Sequence, residues 1–354
     1  MRQVPFGASG QTVSELCLGT MTWGNQTPAA DAHRQMDMAL SAGVDIVDTA
    51  EMYPVNPVKA ETVGGSEAIL GDWNAANLAR RGDFLLATKI SGENGSFVRP
   101  GELITGKTLR SALEGSLKRL KTDYVDLYQL HWPNRGSFQF RKNWTYDPGG
   151  QDKAETLAHI EDVLAEAAKL VAEGKMRFFG LSNESTWGTA QWLRVSEARK
   201  LPRVQTVQNE YSLLCRMYDT DMAELSVNEA VTLLAFSPLA AGLLTGKYQD
   251  GAEPDGSRLA VARATGQTPD LGGRLSDRVR PAVAAYLDIA ARHGLDPVHM
   301  ALAWQQTRPF AVSTIFGATT SAQLEHLLPA AGMTLPQEVL DEIAAAHKAH
   351  PMPY

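Results

Sequence analysis

The chain has 354 residues, 44% of them hydrophobic and 21% charged, with a formal net charge of −7. Those fractions describe a packed globule rather than a disordered chain. The acidic balance, with no long Lys/Arg run, argues against nucleic acid or an anionic membrane surface as the partner.

Cys17 and Cys215 are the only cysteines, each in an apolar setting, and they are expected as two free buried thiols of a reducing compartment. Met1 to Gly10 contains no apolar signal core. The longest uncharged run, Val231 to Gly246, is interrupted by Ser237, Pro238, Gly242 and Gly246. It is too short and broken to span a bilayer, which takes roughly 20 apolar residues. A cytoplasmic protein is expected.

In chain order, Val4–Phe6 and Thr12–Val13 around Gly7 to Gly10 predict a small hairpin, and Glu15–Gly19 a first core strand. Asp31–Ser41 has the spacing of an amphipathic helix, stopped by Gly43. Asp45–Asp48 reads as strand two, Ser66–Asn77 as helix and Phe84–Lys89 as strand three. The clearest helix is Thr108–Lys121, with Leu109, Ala112, Leu113, Leu117 and Leu120 on one face. Strand four runs from Tyr124 to His131, followed by a long helix, Lys153–Glu173. Strands Arg177–Ser182, Val204–Gln208 and Val231–Phe236 alternate with helices Trp187–Lys200 and Asp219–Asn228. Helices Pro281–His293 and Pro297–Arg308 precede strand eight, Val312–Phe316. Helices Ser321–Ala331 and Pro336–His350 finish the chain.

Eight short apolar strands alternating with helices predict an α/β fold, a (β/α)₈ TIM barrel with an N-terminal hairpin and an extra C-terminal helix. A doubly wound sheet is disfavoured because the early turns lack G-x-G-x-x-G. No boundary interrupts the pattern, so residues 1–354 are read as a single domain. The long connections (Pro54–Gly65, Ser91–Lys107, Trp132–Asp152 and Lys247–Arg280) all follow strands, which marks the carboxyl ends as the functional face.

On that face Asp48, Lys89 and His131 each terminate an apolar strand, and Tyr53 follows Asp48 by five residues. An unperturbed phenol titrates near pH 10, and a neighbouring ammonium favours the phenolate. A buried ammonium needs a carboxylate, and an imidazole can orient a carbonyl oxygen. The four together are a proton-transfer set facing a carbonyl. No metal-ligand set is read.

This constellation resembles the catalytic tetrad of the aldo/keto reductases. The strings Gly19-Thr20-Met21-Thr22, Asp48-Thr49-Ala50-Glu51-Met52-Tyr53, Ala87-Thr88-Lys89, Leu130-His131-Trp132-Pro133, Gly180-Leu181-Ser182-Asn183-Glu184 and Gln208-Asn209-Glu210-Tyr211 are similar as well. Ala50-Glu51-Met52-Tyr53-Pro54 looks most like the Tas-type NADPH-dependent branch. The resemblance covers roughly Arg2 to Lys348 and implies a barrel binding NADP(H) at the strand carboxyl ends.

The resemblance also implies roles for individual residues. Tyr53 would donate the proton, Lys89 and Asp48 would tune it, and His131 would orient a small-molecule carbonyl substrate. Ser182, Asn183 and Gln208 would hold the nicotinamide carboxamide, and Tyr211 would stack on the ring. Ser237, Pro238, Leu239, Gly242, Leu244, Gly246 and Lys247 match the pyrophosphate loop, while Arg258 aligns with an arginine reaching the adenosine end. Gly317, Thr319 and Gln323 match the last cofactor segment, but His326 and Leu327 replace the Glu and Asn usual there. Trp23 and Trp132 are expected among the aromatic rings lining the substrate pocket. The implied activity is NADPH-dependent reduction of an aldehyde or ketone. The alternative is an NADPH-binding interaction subunit with slow turnover, like the potassium-channel β subunits.

Overall fold

The computed structural model describes residues 1–354. A two-stranded hairpin opens the chain, β1 (Gln3–Pro5) against β2 (Thr12–Ser14). Eight parallel strands then close on themselves: β3 (Leu16–Gly19), β4 (Ile46–Asp48), β5 (Leu85–Ile90), β6 (Val125–Leu130), β7 (Met176–Ser182), β8 (Val204–Glu210), β9 (Thr232–Phe236) and β10 (Val312–Phe316). Closure is made where Thr314, Ile315 and Phe316 pair with Leu16, Cys17 and Leu18. The fold is therefore the α/β barrel expected from the alternation.

The helices are α1 (Ala29–Ser41), α2 (Gly65–Ala76), α3 (Gly106–Leu120), α4 (Lys153–Ala172), α5 (Thr186–Arg199), α6 (Asp221–Glu229), α7 (Arg258–Ala264), α8 (Val279–Arg292), α9 (Pro297–Gln305), α10 (Ser321–Leu327) and α11 (Gln337–Ala349). Helix α7 lies inside a stretch that the sequence reads as loop. Its start is fixed by Ser257, whose hydroxyl accepts from the Ala260 amide. Helix α3 begins earlier than its apolar spacing suggests. Thr105 and Thr108 form a reciprocal capping box there, so the cap rather than the leucine face sets the boundary.

Two cores divide the molecule. Leu, Val, Trp and Ala side chains on the outer faces of the strands pack against the helices. The smaller core fills the barrel's lower interior with Cys17, Ile46, Ala87, Leu127, Leu234 and Ile315. Phe6 and Val13 of the hairpin plug it from below, Phe6 packing edge-on to Phe178 at 5.4 Å. The plug is tied by Gly7 N donating to Thr232 Oγ1 at 2.8 Å. Gly7 has φ +57 and a Cβ there would lie 2.5 Å from Gln205 Oε1, so only glycine fits. Cys17 and Cys215 are both free and buried, as expected. No helix is long and apolar enough to cross a membrane.

Candidate active site

Inward-facing positions alternate along each strand, and their chemistry changes with height. At the lower level stand Ile46, Ala87 and Leu127. Two residues further along, at the carboxyl ends, stand Asp48, Lys89 and Gln129, with Gln208 on β8. The parallel register sets Lys89 opposite Gln129 and Ser182 opposite Gln208. A polar layer thus lies directly on an apolar one, at the face where the long loops gather.

Lys89 Nζ donates to Asp48 Oδ2 at 2.6 Å and to the Thr49 carbonyl at 2.7 Å. The other carboxylate oxygen, Asp48 Oδ1, accepts from Gln208 Nε2 at 2.8 Å and from Gln129 Nε2 at 3.2 Å. Burial pulls the Lys89 ammonium down, but the Asp48 carboxylate and Tyr53 outweigh it, and the net direction is up. Lys89 therefore stays charged although fully buried.

Tyr53, 9% exposed, sits above this pair with its ring centroid 4.8 Å from Lys89 Nζ. Burial raises the phenol above its ordinary value, and the Lys89 charge lowers it by less. The ammonium alone would favour the phenolate. With burial dominant, Tyr53 keeps its proton at neutral pH. His131 stands edge-on to Tyr53 with centroids 5.8 Å apart, and Trp132 leans on its other side at 4.8 Å. Burial, and then the Lys89 charge, hold His131 well below the usual imidazole range, so the ring is neutral. Its Nδ1 is buried without a partner.

Next to the tetrad, Ser182 Oγ donates to the Gln208 carbonyl at 2.8 Å, and Asn183 Nδ2 donates to the His131 carbonyl at 2.9 Å. Asn183 Oδ1 is buried and unpaired. An orphaned acceptor beside two amide side chains fits a ligand amide, as the nicotinamide carboxamide would supply.

After β9 the chain from Ser237 to Gly246 departs five times from ordinary backbone, with positive φ at Ser237, Ala240, Ala241, Gly242 and Gly246. Lys247 closes this loop, exposed, with its Nζ 5.1 Å from the Tyr248 ring centroid. Arg258, half-buried at the start of α7, makes no ion pair. Burial and the Arg274 charge bring it down to about 10. Two unpaired cations beside a distorted loop suit phosphate. The sequence reading sends Arg258 to the adenosine end. Its charge is felt by Lys247 and Tyr248 beside that loop and by Tyr53.

The β10–α10 turn is closed by its own side chains. Gln323 Oε1 accepts from Thr319 N and Oγ1, both at 3.0 Å, and the Asp31 carboxylate accepts from Ser321 N and Oγ. His326 is bound to Asp296 at 2.8 Å, and Leu327 is buried. No cation stands in this turn.

Two sequence-assigned rings lie elsewhere. Tyr211 is fully buried, stacked on Trp304 at 5.3 Å and flanked by Tyr218 and Phe310, with its hydroxyl 2.5 Å from Asp219. One face of that ring is thus taken by Trp304, and none of the side chain is exposed to stack on a ligand. Trp23 is fully buried with Nε1 on Gln35, so it packs the core rather than lining a pocket. Trp132 remains beside His131 at the rim, with Nε1 on the Glu93 carbonyl and Phe140 at 6.2 Å.

The chain matches the family model described as "Aldo/keto reductase family" over residues 15–348. This chain belongs to the aldo/keto reductase family, a family of oxidoreductases. It is 43% identical to "Protein tas" of Escherichia coli (strain K12) over 98% of this chain and 97% of that one. It is 31% identical to "Uncharacterized oxidoreductase YrpG" of Bacillus subtilis, covering 96% and 94%. A "Probable voltage-gated potassium channel subunit beta" from Arabidopsis thaliana is 30% identical, covering 99% and 98%.

Sequence reasoning passed over three groups around the tetrad. Gln129 is fully buried in β6, and its signal was an amide among apolar neighbours. Glu51, buried two residues before Tyr53, accepts from Ser91 N at 2.6 Å and pairs with Arg99 at 3.0 Å. That clamp fastens the Tyr53 loop to the end of β5. Glu210 gathers Arg141 at 2.6 Å, Arg274 at 2.8 Å and the Tyr354 hydroxyl at 3.2 Å, tying two long loops and the tail together.

Proposed function

We propose that this chain reduces an aldehyde or ketone to an alcohol with NADPH, Tyr53 being the proton donor. The observation that carries the reading is the buried chain Asp48–Lys89–Tyr53. A desolvated ammonium neutralised on one side faces a phenol that still holds its proton. When bound, the nicotinamide supplies the hydride that reaches the carbonyl carbon. Neutral His131 can donate to the carbonyl oxygen and hold it beside the Tyr53 hydroxyl. As negative charge grows on that oxygen, Tyr53 transfers its proton there, and the phenolate left behind is stabilised by Lys89. Hydride to carbon and proton to oxygen together complete the alcohol.

Asn183, Ser182 and Gln208 would hold the carboxamide, and the Ser237–Lys247 loop with Arg258 would take the phosphates. Trp132 would supply an apolar wall for the substrate.

Likeness to the Arabidopsis channel subunit favours a second reading, in which NADPH is bound but turned over slowly. The purified chain, mixed with NADPH and a panel of aldehydes and ketones, distinguishes the two. Loss of the reduced-cofactor absorbance with substrate, abolished in Tyr53→Phe, supports the reductase. Tight NADPH binding with background turnover across the panel supports the binding subunit.

A further inference from the structure

His326, at the position where a glutamate is usual, reaches the start of α9, its Nε2 lying 2.8 Å from Asp296 Oδ2. Asp296 caps that helix with its other oxygen. Oδ1 accepts from Val298 N at 2.8 Å and His299 N at 3.1 Å, which fixes the carboxylate and leaves Oδ2 facing His326. The only ionic partner of Asp296 is this histidine, so no lysine or arginine competes for Oδ2. His299 Nε2 donates to the His326 carbonyl at 2.6 Å, which leaves the lone pair of the neutral ring on Nδ1. The two imidazoles stand edge to face with centroids 5.2 Å apart. One ligand atom from each of Asp296, His299 and His326 lies within 4.8 Å of the other two.

We infer that Asp296, His299 and His326 form a binding site for a divalent transition-metal ion of the zinc type, which joins the start of α9 to α10. Two imidazoles and one carboxylate are a ligand set for such ions, whereas magnesium and calcium call for oxygen ligands. The ion takes the place of the proton between His326 Nε2 and Asp296 Oδ2. His299 already has the second partner of a metal-bound histidine, a backbone carbonyl on its far nitrogen that fixes the tautomer. Zinc bonds of about 2.0–2.1 Å in a tetrahedron set ligand atoms about 3.3 Å apart, and water fills the fourth position. His326 is exposed on α10, so its ring is free to close the remaining distance. The pattern is faint in the sequence because D-x-x-H at 296–299 is short and the third ligand comes from another helix, 27 residues beyond His299.

A second trio, His293, Glu338 and Glu342, is gathered where α8 meets α11. There the Arg292 guanidinium already holds both oxygens of Glu342, at 3.0 and 2.5 Å. An ion would have to displace that resident cation, so zinc goes to Asp296 instead.

The experiment is calorimetric titration of the whole chain, carrying no polyhistidine tag, with zinc chloride, alongside thermal unfolding with and without zinc. The native chain should bind one zinc ion, undisturbed by excess magnesium, and its Tm should rise with zinc. His326→Gln keeps an amide donor for Asp296 and removes the imidazole, and His299→Gln likewise removes a ligand. Each should weaken zinc by more than about tenfold, since losing a partner one shell further out already costs about 10–100-fold. Neither variant should gain Tm with zinc, and His293→Gln should bind it as the native chain does. Absence of zinc binding by the native chain overturns the site, as does native affinity in either variant. Loss of binding in His293→Gln overturns it too, and displacement by magnesium overturns the metal class. Should His326→Gln not fold, His299→Gln decides alone.

Discussion

Lys89 Nζ and Asp48 Oδ2 lie 2.6 Å apart with side-chain exposures of 0% and 3%, a fully desolvated ion pair at the carboxyl end of the barrel. Such a pair gives little net stability over an apolar substitute, but breaking it from one side is expensive. Lys89→Met should lower stability by about 3–5 kcal/mol, because Asp48 becomes an unpaired buried anion. The two glutamines cannot replace the missing charge. Urea unfolding reads the loss, and Lys89→Met combined with Asp48→Leu should regain part of it. A single variant as stable as the native chain would show that the pair is not electrostatically coupled.

Tyr53→Phe removes the hydroxyl and leaves the ring against His131 and Lys89. Carbonyl reduction should fall by about 10²–10⁴-fold, the usual contribution of a positioned general acid, while NADPH affinity changes little. Turnover near the native rate would remove Tyr53 from the mechanism.

His131 gives a pH signature in folding. Burial and the Lys89 charge hold it well below its unfolded value near 6.5. As pH falls below about 6.5, the unfolded chain takes a proton that folded His131 refuses. The unfolded state then binds more protons, and stability falls. His159 and His347 are also held low, chiefly by burial, and act in the same direction. Glu51, raised chiefly by burial, begins to offset them only as the pH nears its own range. Between about pH 7.5 and about pH 5.5, His131→Gln should lose about 1 kcal/mol less stability than the native chain. Identical losses in paired urea titrations would mean that His131 titrates freely in the folded protein.

Much of the fold and half of the site could be read from the chain. Asp48, Lys89 and His131 were legible because each breaks an apolar run at its end, and in a parallel barrel all such ends meet on one face. Gln129 was not, since an amide inside a strand looks the same whether it meets solvent, backbone or a carboxylate two strands away. Tyr211 and Trp23 show the reverse problem. Residue type says that a ring wants burial, but whether it is buried under a ligand or under a helix depends on neighbours such as Trp304 and Gln35. Helix α7 escaped because its seven residues are too few for periodicity to register, and only the Ser257 cap marks it.

Arg258 carries the last prediction, since its position changes what it can recognise. The guanidinium has no carboxylate partner, and its charge is felt by Lys247 and Tyr248 beside the distorted loop as well as by Tyr53. If that loop takes the pyrophosphate, as proposed, Arg258 meets the part of the cofactor that NADPH and NADH share. Within the β10–α10 turn, Thr319 and Gln323 are bonded to each other and Ser321 to the Asp31 carboxylate, and none of these side chains is cationic. Arg258→Ala should therefore weaken NADPH and NADH alike, by about ten- to a hundredfold, as expected for loss of a charge-assisted hydrogen bond. Both dissociation constants are measured by fluorescence at one fixed salt concentration, because phosphate contacts are screened. A loss confined to NADPH would instead place Arg258 on the 2′-phosphate and return it to the adenosine end of the cleft.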